Sequence, residues 1–266
     1  MRLLQSLLML PVAAAAAFGA PAAGADTPPP ERMRGGVRLL ALAPDAGARF
    51  DVSVLPPEAA LDRIAGALDL IRQRSPASAA AMDRLEAAGR VTLIYYPNEF
   101  RDRNRPNAQA VALFLPEFLK SRGLGAEGLD FTVVINQFGV KWPAEELAAV
   151  IVHELAGHGT QHLQGRIESG RVLDLECEAS LYQEQAYQDL GAAKKARTVV
   201  LFRRQMEYRY CADFRAYMLK HAPGGLALWD SLNPDVATLL GLFADYRRVQ
   251  AAQKDRAARP VSSRSR

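Results

Sequence analysis

Residues 153–158 read His-Glu-Leu-Ala-Gly-His, and His162 follows four residues later. The chain holds only four histidines in 266 residues, so three of them fall within ten positions. The cluster directly continues an apolar run, 147–152 (LAAVIV), which carries it toward an interior. Buried imidazoles need partners. Imidazoles and a carboxylate gathered against an apolar run are what a zinc site with a hydrolytic water requires.

The spacing of these side chains restricts how they can meet. In H-E-x-x-H the two histidines stand four apart, and a regular helix stacks them on one face. Here His153 and His158 stand five apart. At about 100° per residue they diverge by about 140° on a regular helix. They converge only if the helix carries a π-type turn with five-residue spacing. Gly157 and Gly159 flank His158, and each costs a helix about 1 kcal/mol relative to Ala; a distorted turn is one reason to carry them. A second geometry needs no distortion. Glu154, His158 and His162 are successive four-residue steps on one helical face, which leaves His153 as an orienting or core residue. A third reading makes all of them satisfied polar groups on a half-buried helix.

Catalytic zinc usually takes three protein ligands and a water, often two His and one Glu. The segment 172–190 is rich in Leu, Glu, Gln and Ala and predicts a helix. It carries Asp174, Glu176 and Glu178 near its start, and Gly165 and Gly170 let the chain turn back toward the histidines. Glu176 and Glu178 lie about 200° apart on a helix, so only one can face a metal. Spacing does not choose between them, and at least one of the three acids is accounted for as favourable charge in a first helical turn.

The stretch His153–His158 followed by Glu176-Cys177-Glu178-Ala179 resembles the gluzincin metallopeptidases. It is most similar to the dipeptidyl peptidase III family, whose motifs are H-E-x-x-G-H and E-E-C-R-A-E. The resemblance implies His153 and His158 as zinc ligands and Glu154 as general base. Aligning Cys177 and Ala179 with that family's Cys and Ala implies Glu176 as the third ligand. Leu175, Glu178 and Ser180 depart from the second motif, and the interval between motifs is much shorter than in that family. The likeness covers about thirty residues of the chain.

The first 25 residues read as a secretory signal. Arg2 supplies the positive start, 3–18 an apolar run too short for a comfortable span of about 20 residues, and Ala23-Gly24-Ala25 an A-x-A cleavage site. The Ala-rich style predicts bacterial export, to the periplasm or beyond, with no membrane span left after cleavage. Residues 26–36 read as a Pro/Gly linker, 37–250 as a single zincin-like metallopeptidase domain, and 251–266 as a basic disordered tail. The formal net charge of +4 is mild and points to no nucleic-acid partner. Cys177 and Cys211 are the only cysteines, and in an oxidising compartment they are candidates for one disulfide.

Along the chain, 37–43, 91–96, 110–115 and 130–137 read as strands, and Pro57–Arg74 and 77–88 as helices. Val140–Trp142 and Pro143 lead into the motif helix, and from 172 onward the chain reads helical. The fold class expected is α+β: a small mixed sheet, then a mostly helical C-terminal half carrying the metal site. The strand 130–137 ends shortly before the motif helix and reads as a candidate edge for pairing with an extended substrate; an ordinary core strand is the other reading. Tyr182, Tyr187, Tyr208, Tyr210, Tyr217 and His221 are candidate oxyanion donors.

The whole predicts an exported Zn2+-dependent metallopeptidase acting on a peptide or protein substrate, with metal ligands His153, His158 and Glu176 and Glu154 as base. His162 and Glu178 stand as alternate ligands. The competing expectations are a non-catalytic metal-binding or scaffold protein of the cell envelope, and hydrolysis of a non-peptide amide such as cell-wall peptide.

Overall fold

Two mostly apolar runs, 91–95 and 130–135, are buried at every position, Thr92, Asp130 and Thr132 included. A strand without exposed positions is covered on both faces and belongs in the middle of a sheet. The computed structural model, which describes residues 28–258 apart from 51–52, 99, 103–104, 126 and 232, places both runs there. The signal-like segment 1–25 and the end of the tail, 259–266, lie outside the described residues.

The chain begins with β1 (Glu31–Arg34) and β2 (Val37–Ala41), then α1 (Pro57–Arg74), α2 (Pro76–Ala88) and β3 (Arg90–Tyr95). A two-stranded hairpin, β4 (Phe100–Asp102) and β5 (Arg105–Ala110), precedes β6 (Ala112–Phe114), the short helix α3 (Phe118–Ser121) and β7 (Asp130–Ile135). A 3-10 turn at Gly139–Lys141 leads to α4 (Ala144–Val152), a π-helical segment His153–Gly159, and α5 (Thr160–Leu163). Five helices complete the described chain: α6 (Val172–Asp189), α7 (Arg197–Gln205), α8 (Ala212–His221), α9 (Pro223–Asp230) and α10 (Val236–Ala258). A second π segment, Met206–Tyr210, joins α7 to α8.

The protein is thus mixed α+β, with a five-stranded sheet in the order β1-β2-β3-β7-β6. The three inner strands run parallel, with Val37 opposite Val91 and Val91 opposite Phe131. Both outer strands are antiparallel. Helices α1 and α2 form the crossover between β2 and β3, as parallel neighbours require. The apolar stripe of α1, Leu61, Ile64, Leu68 and Ile71, packs with α4 over one face of the sheet in the main core. Leu40, Ile94 and Val134 face the other side, under Phe100, Phe118 and Leu119. A separate apolar cluster joins Cys177 and Leu181 of α6 to Phe214, Trp229, Phe243 and Tyr246. None of the described helices is long and apolar enough to cross a membrane.

Several sequence expectations need correction. The strand 130–135 is not an edge: β7 lies between β3 and β6, and the outermost strand on that side is β6. The run 110–115 is not one strand, because Ala110 ends β5 and Ala112–Phe114 forms β6. The segment read as a linker contains β1, whose residues pair with β2 from Glu31↔Leu40 to Arg34↔Val37. Arg32 and Arg34 on this strand also form ion pairs with Asp62 and Asp69 of α1, which anchors it. At the other end, α10 continues through Ala258, into the segment read as tail.

Candidate metal centre

Helix α4 is buried at every position from Leu147 to Val152, so the chain reaches His153 deep in the core. There the helix widens. Over His153–Gly159 the backbone adopts π-helical spacing, which turns residues five apart onto one side. The His153 and His158 rings meet edge to face with centroids 5.0 Å apart. Glu176 approaches from α6: its two carboxylate oxygens lie 3.6 Å from His153 Nε2 and 3.7 Å from His158 Nε2. One ligand atom from each of the three residues falls within 4.8 Å of the others.

The close approach of α6 has a simple steric origin. A Cβ on Gly157 would stand 2.6 Å from the Ala179 Cβ and 2.7 Å from its Cα. Glycine facing alanine lets the two backbones come together, and Glu176, one turn before Ala179, comes with them. Gly157 therefore serves the contact between helices rather than the π turn itself.

These groups are nearly dry: His153, Glu154, His158 and Glu176 are 1–3% exposed. His153 Nε2, Glu154 Oε1 and Glu176 Oε2 are buried with no hydrogen-bond partner among the described residues. Separations of 3.6 and 3.7 Å are too long for hydrogen bonds. They are close to the about 3.3 Å between ligand atoms that each sit about 2 Å from a tetrahedral ion. Two imidazole nitrogens and a carboxylate, converging and buried, with His153 Nε2 and Glu176 Oε2 orphaned, fit a metal ion. Burial pushes the His153 ring down to about 3, a shift that the Gln183 side chain opposes. Burial likewise lowers His158, so both rings are neutral, as metal ligands must be.

Glu154 stands beside this group without belonging to it. Burial, and then the charge of Glu176, push its carboxyl up to about 8, while a backbone hydrogen bond from Phe114 on β6 pulls the other way. An acid so placed has its proton affinity near neutral pH, where proton transfer is efficient.

The structure places the alternate residues elsewhere. His162 packs against the rings of Phe114 and Phe131, with centroids 5.6 and 5.8 Å away, so the regular face Glu154/His158/His162 does not assemble a site. Glu178 accepts two hydrogen bonds from Arg166, at 2.6 and 2.9 Å, and a third from Gln161. Among the oxyanion candidates, Tyr208 is 73% exposed. Tyr217 and His221 stack on each other, and Tyr187 packs on Phe202. Sequence reasoning missed Gln161, whose amide contacts His158 Nδ1 at 2.9 Å. The available signal was its position three residues after His158, one turn along the same helical face. No family model, curated protein or solved structure matches the chain.

Proposed function

We propose that the protein is a zincin-like, gluzincin-type zinc metallopeptidase that hydrolyses peptide bonds. The observation that carries this reading is the π turn that brings His153 and His158 together opposite Glu176, with Glu154 beside them. Zinc held by His153, His158 and Glu176 would supply an activated water and polarise the scissile carbonyl. The chain's own contribution is proton handling and positioning. Glu154 Oε1 has no hydrogen-bond partner among the described residues and is open to receive a proton and later release it to a leaving amine. The hydrogen bond from the Phe114 backbone ties the acid to the edge strand β6. An extended polypeptide added antiparallel to β6 would run past the acid, with affinity from main-chain pairing rather than side-chain identity. Export is supported by the N-terminal sequence and by the Cys177–Cys211 disulfide, a bond that persists in oxidising compartments.

The test combines metal analysis with hydrolysis of casein or a mixed peptide library. The expected result is about one zinc per chain, lost in His153→Ala, His158→Ala or Glu176→Ala. Glu154→Gln should keep its zinc and lose at least about 10²-fold in hydrolysis. Zinc uptake with no turnover of any substrate would instead leave a metal-binding scaffold. Equal cleavage by wild type and Glu154→Gln would assign the hydrolysis to a contaminant.

A further inference from the structure

Gln161 is fully buried, and its amide bridges the two ligand-bearing helices. One end meets the carbonyl oxygen of Leu175 at 2.9 Å and Glu178 Oε2 at 3.1 Å. A carbonyl only accepts hydrogen bonds. The Glu178 oxygens are already engaged by two Arg166 N–H groups, as an acceptor in an ion pair. The end of Gln161 facing these two acceptors must therefore be its NH2. That leaves Oε1 facing His158 Nδ1 at 2.9 Å. An amide oxygen accepts and never donates, so Nδ1 must carry the hydrogen. The neutral ring required of a metal ligand has a single N–H, so Nε2 keeps its lone pair, on the side facing Glu176.

We propose that Gln161 is a positioning residue: held by Arg166 through Glu178, it fixes His158 in its Nδ1–H tautomer and presents Nε2 to the metal. This rests on the metal reading above. Because Leu175 precedes Glu176, the same amide also fixes the backbone beside the third ligand. Only a carboxamide satisfies both ends. A carboxylate in its place (Q161E) would accept from His158 but set its second oxygen against the Leu175 carbonyl and Glu178. A leucine (Q161L) would leave Nδ1 and the Leu175 carbonyl without this partner in a dry interior.

The tautomer is read directly from long-range proton–nitrogen correlations of the His158 ring in 15N-labelled, metal-free protein. Zinc affinity is read by competition with a chromophoric chelator, and folding by circular dichroism. Wild type should show Nδ1–H at His158. Q161L and Q161E should each weaken zinc binding about 10–100-fold, the usual scale for a group behind a metal-bound histidine, and Q161L should lose the single tautomer. An Nε2–H ring in wild type overturns the proposal without any variant having to fold. So does folded Q161L whose zinc affinity matches wild type. A wild-type chain with the Nδ1–H ring but no zinc uptake refutes the metal reading while supporting the role of Gln161 in setting the ring.

Discussion

A carboxyl group in a dry interior keeps its proton until something compensates its charge, and this gives the metal-free protein a distinctive pH response. Glu154 is raised from 4.5 to about 8, so the folded state binds that proton more tightly than the unfolded chain. The resulting stabilisation is complete below about pH 4.5 and is lost as pH rises through about 8. His153 acts in the opposite sense: lowered from 6.5 to about 3, it costs stability as pH falls through that window. Metal-free Glu154→Gln, which has no proton to lose, should therefore melt above wild type at pH 9 and close to it at pH 5. Parallel melting curves for the two proteins across that range in chelator would refute the assignment. At this scale the sequence was informative where residue types are rare. Three histidines in ten positions have few innocent explanations. The choice between Glu176 and Glu178 was not legible from spacing, because two acids two residues apart differ only in which way the helix is rotated, and tertiary contact sets that rotation. Gln161 and Arg166 were invisible because glutamine and arginine on a helix are ordinary until their partners are known.

The extra residue between His153 and His158 acts at the scale of a helix. A π turn was legible because the five-residue interval admits the pair on one side in no other helical geometry. The reason for Gly157 was not, since the neighbour it accommodates, Ala179, lies on another helix. Two effects oppose each other in Gly157→Ala. Helix propensity favours alanine by about 1 kcal/mol. The added methyl would meet Ala179 at 2.6 Å, and overpacking of this kind costs about 1–3 kcal/mol. The neighbouring atoms are a backbone Cα and its own Cβ, with no flexible end to move aside, so the clash should win. Gly157→Ala is expected to lose stability and, by pushing α6 outward with Glu176, to bind zinc more weakly. The double variant Gly157→Ala/Ala179→Gly removes the 2.6 Å contact between the two Cβ atoms but leaves the new methyl 2.7 Å from the Cα of residue 179, so it should recover only part of both losses. Denaturant melts and chelator competition on the three proteins decide it; an unimpaired single variant would remove the steric account. The strands show a comparable limit. The unbroken burial of 130–135 was not legible, because Asp130 and Thr132 alternate with Phe131 and Val133 and the run reads equally as an edge strand or a core strand. The edge strand β6, Ala112–Phe114, lies inside the run 110–115 that reads as one strand; the break that ends β5 at Ala110 leaves no mark in an unbroken apolar run.

At the scale of the whole chain, α6 belongs to both halves of the molecule. Ala186, Tyr187 and Leu190 pack with the sheet and its helices, whereas Cys177 and Leu181 pack into the C-terminal helical cluster. The first turns of α6 are held from two directions. On one side Glu176 faces the histidines. On the other the disulfide Cys177–Cys211, closing a sequence separation of 34 residues, joins it to the start of α8. A crosslink over that interval stabilises by about 4 kcal/mol in the chain-entropy account. A metal bound only by the folded state contributes about 4 kcal/mol at a free concentration a thousand times its Kd. With zinc bound, the two braces would be of similar size, and neither should substitute for the other's local geometry. The double variant Cys177→Ala/Cys211→Ala should lose about 4 kcal/mol in chelator, measured by denaturant unfolding. Saturating zinc should then return a comparable amount, because neither cysteine is among the residues that would hold the ion. If the double variant keeps its stability in chelator, the bridge contributes nothing to the fold. If it loses stability and zinc no longer restores any, the crosslink rather than the Gly157–Ala179 contact is what holds Glu176 against the histidines.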